Sequence, residues 1–311
     1  MHHTLRPDRP HLHAHFSNAA APVLWVESGD SVDVSVPDVG WGLEPPTSTT
    51  APRKKVEPRD PAKDNGPCLL GPIGVRGAKP GHVLEIRIEY IRTSPWGWSY
   101  AGKNMATPAL NRVWGVSNDA LTLLRWSIDR ERGVATTHDA GAKPITVPIR
   151  PFFGTIGLAP NDAHAIGWTP RTCGGNMDCR ELHAGTTLFL PIVVPGALLS
   201  LGDTHATQGG GEVSGTAIEC ACESARLTLI LRTDLSLRTP IAHTPEGTVA
   251  IGVGDTLDDA AEQAVGAILD EMTRELSISR DQALALASSV VDVRITQMVN
   301  PRRNVHAVWK R

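Results

Sequence analysis

Residues 173 to 219 read CGGNMDCRELHAGTTLFLPIVVPGALLSLGDTHATQGGGEVSGTAIE and gather Asp178, Asp203, His205, Gln208, Glu212 and Glu219. Carboxylates and an imidazole at this density serve two kinds of chemistry: ligation of a divalent cation and acid–base transfer of protons. Leu198 to Leu201 reads as a short apolar strand that stops at Gly202. Beyond it Asp203 and His205 stand two apart, on one face if the backbone stays extended, so both address one point. Gly209, Gly210 and Gly211 then remove three side chains in a row, which lets backbone approach a ligand or adopt positive φ before Glu212. Glu219 admits two readings. In TAIECACE it alternates with Ala217, Ala221 and Glu223, as a residue of a solvated strand face would.

The same stretch resembles the signature region of the acetamidase/formamidase family, whose pattern runs roughly HGGNMD, then GD-x-HA-x-QG-D-GE, then TA-x-E. GPCLLGPIGVRGAKPGHVLEIRIEYI and PFFGTIGLAP resemble further blocks of that family. The resemblance implies a β-sandwich-like fold and hydrolysis of small or short-chain amides, such as formamide and acetamide, to a carboxylic acid and ammonia. Amide hydrolysis needs a water nucleophile, electrophilic help at the carbonyl oxygen and a proton for the leaving amine, and a divalent metal supplies the first two. Mixed imidazole and carboxylate ligands suit zinc first and calcium second. Asp203 and His205 are the foremost candidate ligands, followed by Asp178 and by His13, which stands where family members carry a histidine. Glu212, ahead of Glu219, is the candidate proton shuttle, and Asn176, Gln208 and Trp96 are candidate substrate contacts.

Besides His82 and Pro67, which stand where the family usually has an aspartate and a Gly-His pair, two departures from the family pattern bear on activity. Cys173 stands where a histidine is usual, and a thiolate there could still ligate zinc. Gly210 replaces an aspartate. These departures keep open a second class of function, a non-catalytic metal-binding or small-molecule-binding homologue.

The elements that must position these residues are mostly strands. Val23 to Val26 and Val32 to Val36 flank Ser28-Gly29-Asp30 and read as a hairpin. His11, His13 and His15 alternate and would share a face if extended. Leu84 to Tyr90, Leu121 to Ile128, Ile145 to Ile149 and Val291 to Ile295 read as further strands. Residues 37 to 66, rich in proline, threonine and charge, form a long loop with no period. Residues 256 to 290 read as a helical pair, each helix opened by a capping box, Thr256 with Asp259 and Ser279 with Gln282. The expectation is a mainly β chain, one β-sandwich-like domain over 1–311 with this C-terminal helical pair, forming a homo-oligomer, a dimer or higher.

Composition narrows the partners. The chain has 311 residues, 41% hydrophobic and 20% charged, with a net charge of -3, so nucleic acid and anionic membrane surfaces are not implied partners. A small neutral amide fits better. Aromatics at 5% argue against a carbohydrate-cleaving groove. No apolar run approaches the ~18 residues of a spanning helix, and the first residues lack a signal-peptide core, so a cytoplasmic location is expected. Five cysteines without a CxxC pair read as free thiols.

Overall fold

The computed structural model describes residues 1–103, 105 and 108–310. Strands with apolar residues at every second position have one face that must be covered. Asp30–Val36 buries Val32, Val34 and Val36 and leaves Ser31, Asp33 and Ser35 half-exposed. Among the described residues, two large sheets close over such faces. The first has nine strands in the order His2–Leu5, Asp30–Val36, Cys222–Arg232, Val83–Thr93, Thr187–Pro191, Ile241–Thr244, Gly247–Gly254, Arg303–Lys310 and Val291–Gln297. The second has eleven strands, and its central run is Leu121–Asp129, Trp96–Gly102, Glu219–Cys220, Leu199–His205, Phe152–Gly157 and Gly174–Asn176. Leu69–Val75 branches from Leu199–His205 and carries Leu12–His13 and Leu24–Val26.

One buried cluster joins the sheets. Val34, Leu84, Ile86 and Leu227 of the first meet Leu70, Phe153, Ile156, Leu199 and Leu201 of the second. This is the sandwich-like core that the resemblance implies, built on the mainly β pattern of the sequence. The expected helical pair is present as Leu257–Leu276 and Arg280–Val290, and both capping boxes are formed. Ala260, Ala264, Ile268 and Met272 of the longer helix pack with Ala250, Val305 and Ala307 of the first sheet in a second cluster. A short helix, Pro108–Val113, has no counterpart in the sequence reading. No helix among the described residues is long and apolar enough to cross a membrane.

Three expectations are corrected. The hairpin over residues 23 to 36 does not form, because Leu24–Val26 runs parallel to Leu69–Val75 while Asp30–Val36 pairs with His2–Leu5 and Cys222–Arg232. The intervening turn carries the chain from one sheet to the other, and the Asp30 carboxylate is taken up by the Met1 ammonium, His3 and the Glu27 N–H. The strand expected to stop at Gly202 instead continues to His205. Glycine is needed there because a Cβ would lie 2.2 Å from the Cys68 carbonyl oxygen on the neighbouring segment. Finally, His11, His13 and His15 do not share one extended face: His11 sits in a helical turn, and Leu12–His13 and His15–Phe16 pair with different strands.

Residues 37 to 66 carry no helix or strand beyond an isolated bridge between Gly42 and Lys55. They are nevertheless packed down. Trp41 is buried and its Nε1 donates to the Gly66 carbonyl at 3.0 Å, while Arg53 pairs with Asp38 and Arg9 with Asp64.

Candidate active site

The second sheet places the acidic and imidazole side chains on adjacent strands. His205 pairs with Phe152 on one side and Glu219 on the other, and Glu219 pairs in turn with Trp98. Thr155 pairs with Asn176, just before Asp178. Glu212 arrives from the glycine loop, which is tied down by Gly211 N–H to the Thr296 carbonyl at 3.0 Å and by Met298 N–H to the Gly211 carbonyl at 3.1 Å. Asp178, Asp203 and Glu212 all adopt left-handed backbone, with φ of 52°, 56° and 47°. Left-handed geometry is unfavourable for residues with a Cβ and concentrates where side chains must be aimed.

All five ionisable groups are buried. Ligand atoms of Asp178, Asp203 and His205 lie within 4.8 Å of one another, and so do those of His205, Glu212 and Glu219. His205 Nε2 is 3.2 Å from Asp203 Oδ1 and 3.3 Å from Glu219 Oε2. Asp178 Oδ2 accepts from Asn176 Nδ2 at 2.9 Å and from Asn300 Nδ2 at 2.6 Å. Thr155 Oγ1 lies 3.1 Å from Asp203 Oδ2. Gln208 fixes the imidazole. Its Nε2 faces the carbonyl oxygens of Asp178 at 2.9 Å and Thr296 at 3.4 Å, so its Oε1 must be the atom 2.9 Å from His205 Nδ1. Nδ1 therefore carries a proton, and Nε2 is the nitrogen turned toward the carboxylates.

Four buried carboxyls cannot all be ionised without a compensating positive charge. No lysine or arginine among the described residues forms an ion pair with any of them. Burial and the Asp203 charge push Asp178 up to about 8, and burial pushes Glu219 up to about 7 against the pull of His205. Burial and Asp178 raise Glu212 well above the usual carboxylate range. For His205, burial alone would lower the pKa, but Glu219 and Asp203 outweigh it and raise it. Asp178 Oδ1 and Glu219 Oε2 are buried without a hydrogen-bond partner among the described residues. A Cβ on Gly154 would meet His205, Asp178 and Asp203 at 2.7 to 2.9 Å, so a glycine keeps the space between them clear. Free carboxylate oxygens, a tautomer-fixed imidazole and a cleared space together fit a divalent cation.

Asp203, Glu212 and Glu219 form the floor of a cleft of about 400 Å³, walled by Trp41, Trp98, Tyr100, Asn176 and Asn300, and Asp178 and His205 lie behind that floor. A sequence profile described as the Acetamidase/Formamidase family matches residues 163–309, which contain Asp178, Asp203, His205, Glu212 and Glu219. Over that stretch the chain is similar to the Acetamidase/Formamidase family. The acetamidase of Mycolicibacterium smegmatis is 29% identical over 209 residues, 49% of this chain and 50% of that protein. The chain spans about half the length of the curated relatives it matches. A solved structure described as a predicted acetamidase/formamidase from Thermoanaerobacter tengcongensis has a TM-score of 0.85 at 28% identity, covering 100% of this chain and 96% of that one. An acetamidase from Bacillus halodurans has a TM-score of 0.82 at 27% identity, covering 99% and 97%.

The acetamidase/formamidase signature residues are distributed unevenly over the site. Asp178, Asp203, His205, Glu212 and Glu219 converge, and Asn176 lines the cleft. Gln208 lies behind His205 instead of facing the cleft. Trp96 lines a separate depression with Pro95 and Arg125, and it is Trp98, two residues on, that lines the cleft. His13 is in neither group of ligand atoms: its Nδ1 is 2.8 Å from the His15 carbonyl oxygen and its Nε2 3.0 Å from Ser200 Oγ. Cys173 belongs to the apolar core, where burial pushes its thiol up to about 11, and it is in neither group of ligand atoms. Gly210 is exposed beside Ile295. Sequence reasoning does not single out Gly154, Thr155 or Asn300. The first two lie in PFFGTIG, which signals a strand but not what lies across from it, and Asn300 lies in a loop far along the chain.

Proposed function

We propose that this protein hydrolyses the carbon–nitrogen bond of small amides to a carboxylic acid and ammonia, with a divalent metal, zinc first, held by Asp178, Asp203 and His205. The observation that carries the reading is the clustering of four carboxyls around one imidazole, inside the profile-matched stretch, at a cleft whose floor Asp203, Glu212 and Glu219 line. When bound, such an ion polarises a carbonyl and lowers the pKa of water. The chain's own groups handle protons and orientation. Glu219 Oε1 accepts from the Ala217 N–H at 3.0 Å, which leaves Oε2 free to take a proton from the attacking water. Water oxygen bonds to the amide carbon, a proton passes from the carboxyl pair Glu219 and Glu212 to the amide nitrogen, the C–N bond breaks, and ammonia leaves. Trp41 and Trp98 exclude solvent from the cleft wall, and Asn176 orients Asp178.

Ammonia release from formamide and acetamide, measured beside metal content, tests this reading. Turnover that rises with bound metal supports it. No ammonia from any amide with metals added would overturn it in favour of a non-catalytic binding homologue. The proposed homo-oligomer is supported by exposed Val293 and Ile295 on the edge strand Val291–Gln297 and exposed Leu284 and Leu286 on the adjacent helix. Light scattering tests it, and a monomer at micromolar concentration would refute it.

A further inference from the structure

The cleft with the acidic floor has a basic wall. Lys55 and Arg59, both from residues 37 to 66, line it. Lys55 is half-buried, and its ammonium makes no ion pair or hydrogen bond among the described residues. Arg59 donates from Nη2 to the Asp64 carbonyl at 2.7 Å and stacks over Trp41 at 4.9 Å, but its buried Nε has no partner among the described residues. The nearby acids are already engaged. Asp38 accepts from Arg53, from Trp98 Nε1 at 2.8 Å and from the Gly42 N–H at 2.7 Å. Asp64 accepts from Arg9 and from the Asp60 N–H, the latter at 2.7 Å. Glu57 is exposed. Burial, with Arg53 and Arg59 nearby, lowers the Lys55 pKa, as expected of an ammonium short of counter-charge.

The cleft is also larger than the smallest amides need. Its volume of about 400 Å³ compares with roughly 120 Å³ for a four-atom amide, at about 30 Å³ per water-sized group. We propose that Lys55 and Arg59 form an anion subsite, so that the preferred substrate is an amide bearing a carboxylate a few bonds from its carbamoyl group, such as the half-amide of a short dicarboxylic acid. This deepens the amidase reading and rests on it for the reaction, though not for the binding. A carboxylate is repelled by the floor and drawn to the wall, which turns the amide end toward the floor. A neutral amide lacks that orientation.

The test compares succinamate with butyramide, the same chain with a methyl group in place of the carboxylate. The protein is expected to favour succinamate in kcat/KM by about tenfold or more, the order of one charge-assisted contact. Lys55→Met should bring the ratio close to one, through KM more than kcat. Calorimetric titration with succinate and butyrate reads the subsite without turnover: succinate should bind more tightly, and Lys55→Met should remove the difference. Arg59→Lys, which keeps the charge, should retain more of it than Arg59→Met. If neither amide is hydrolysed while succinate still binds in a Lys55-dependent way, the amidase reading fails and the subsite stands. Equal turnover and equal binding of the two probes by the unsubstituted protein, or an undiminished preference in Lys55→Met, would overturn the subsite.

Discussion

Gly154→Ala adds one carbon at the point where three site residues meet. That carbon would lie 2.7 Å from His205 Cε1, 2.8 Å from Asp178 Oδ1 and 2.9 Å from Asp203 Oδ2. Ordinary contact begins near 3.4 Å, so the three groups must withdraw by roughly 0.5 to 0.7 Å. Gly154 is not in the left-handed region, so alanine is free to adopt its backbone and the effect falls on the side chains. Catalytic groups tolerate about 0.5 Å of displacement, and 1 Å costs about 10²-fold in rate. Activity should therefore fall by about 10-fold to 10²-fold, with bound metal reduced. Overpacking costs about 1–3 kcal/mol, which lowers Tm by several degrees and leaves a cooperative transition. Ammonia release, metal analysis and a thermal melt on one preparation measure all three. A Gly154→Ala protein with unchanged kcat/KM and full metal content would refute the convergence of these atoms on a working centre.

Asp203→Asn and His205→Ala should each lose metal and turnover while still melting cooperatively, whereas Glu212→Gln and Glu219→Gln should keep metal and lose about 10²-fold to 10⁴-fold in kcat. Full metal content in both the Asp203 and His205 variants would sink the ligand assignment. Gln208→Leu removes the acceptor of His205 Nδ1 and should cost about 10-fold to 100-fold in metal affinity or activity, which a metal titration checks. Glu181 bears on stability. Burial alone would raise its pKa, but His306 and Arg150 outweigh that and hold it down to about 2 from the usual 4.5. A depressed folded pKa contributes stability above the unfolded value that is lost as pH falls through the folded one. Glu181→Gln should therefore melt lower than the parent at neutral pH, and the gap should close between pH 4.5 and about 2. A gap that is constant across that range would count against the ion-pair account.

The site stretch is readable in the sequence because its carboxylates and histidine lie close along the chain, and the helical pair because capping boxes are local signals. Pairing partners are not. Val23 to Val36 has a hairpin's spacing, yet its two strands are claimed by different sheets through contacts with Leu69–Val75 and Cys222–Arg232. Trp96 and Trp98 share a strand and a residue type, and only the neighbouring strands decide which of them meets the cleft. Glu219 could have faced solvent. Its pairing with His205 and Trp98 buries it. Gly154 gives no sequence signal at all, since the reason for a glycine there lies in side chains from two distant segments.

The left-handed backbone at Asp178, Asp203 and Glu212 bears on how such a site persists over generations. Each of these residues costs on the order of 1 kcal/mol relative to glycine at the same φ, and the crowding of buried carboxyls adds to it. Many changes at these three positions would leave the fold intact or make it more stable. A lineage relieved of the need for turnover would therefore drift first toward glycine or asparagine here, well before its core eroded. Cys173 and Gly210, where the resemblance leads one to expect a histidine and an aspartate, lie away from the floor. The chain keeps all three strained acids.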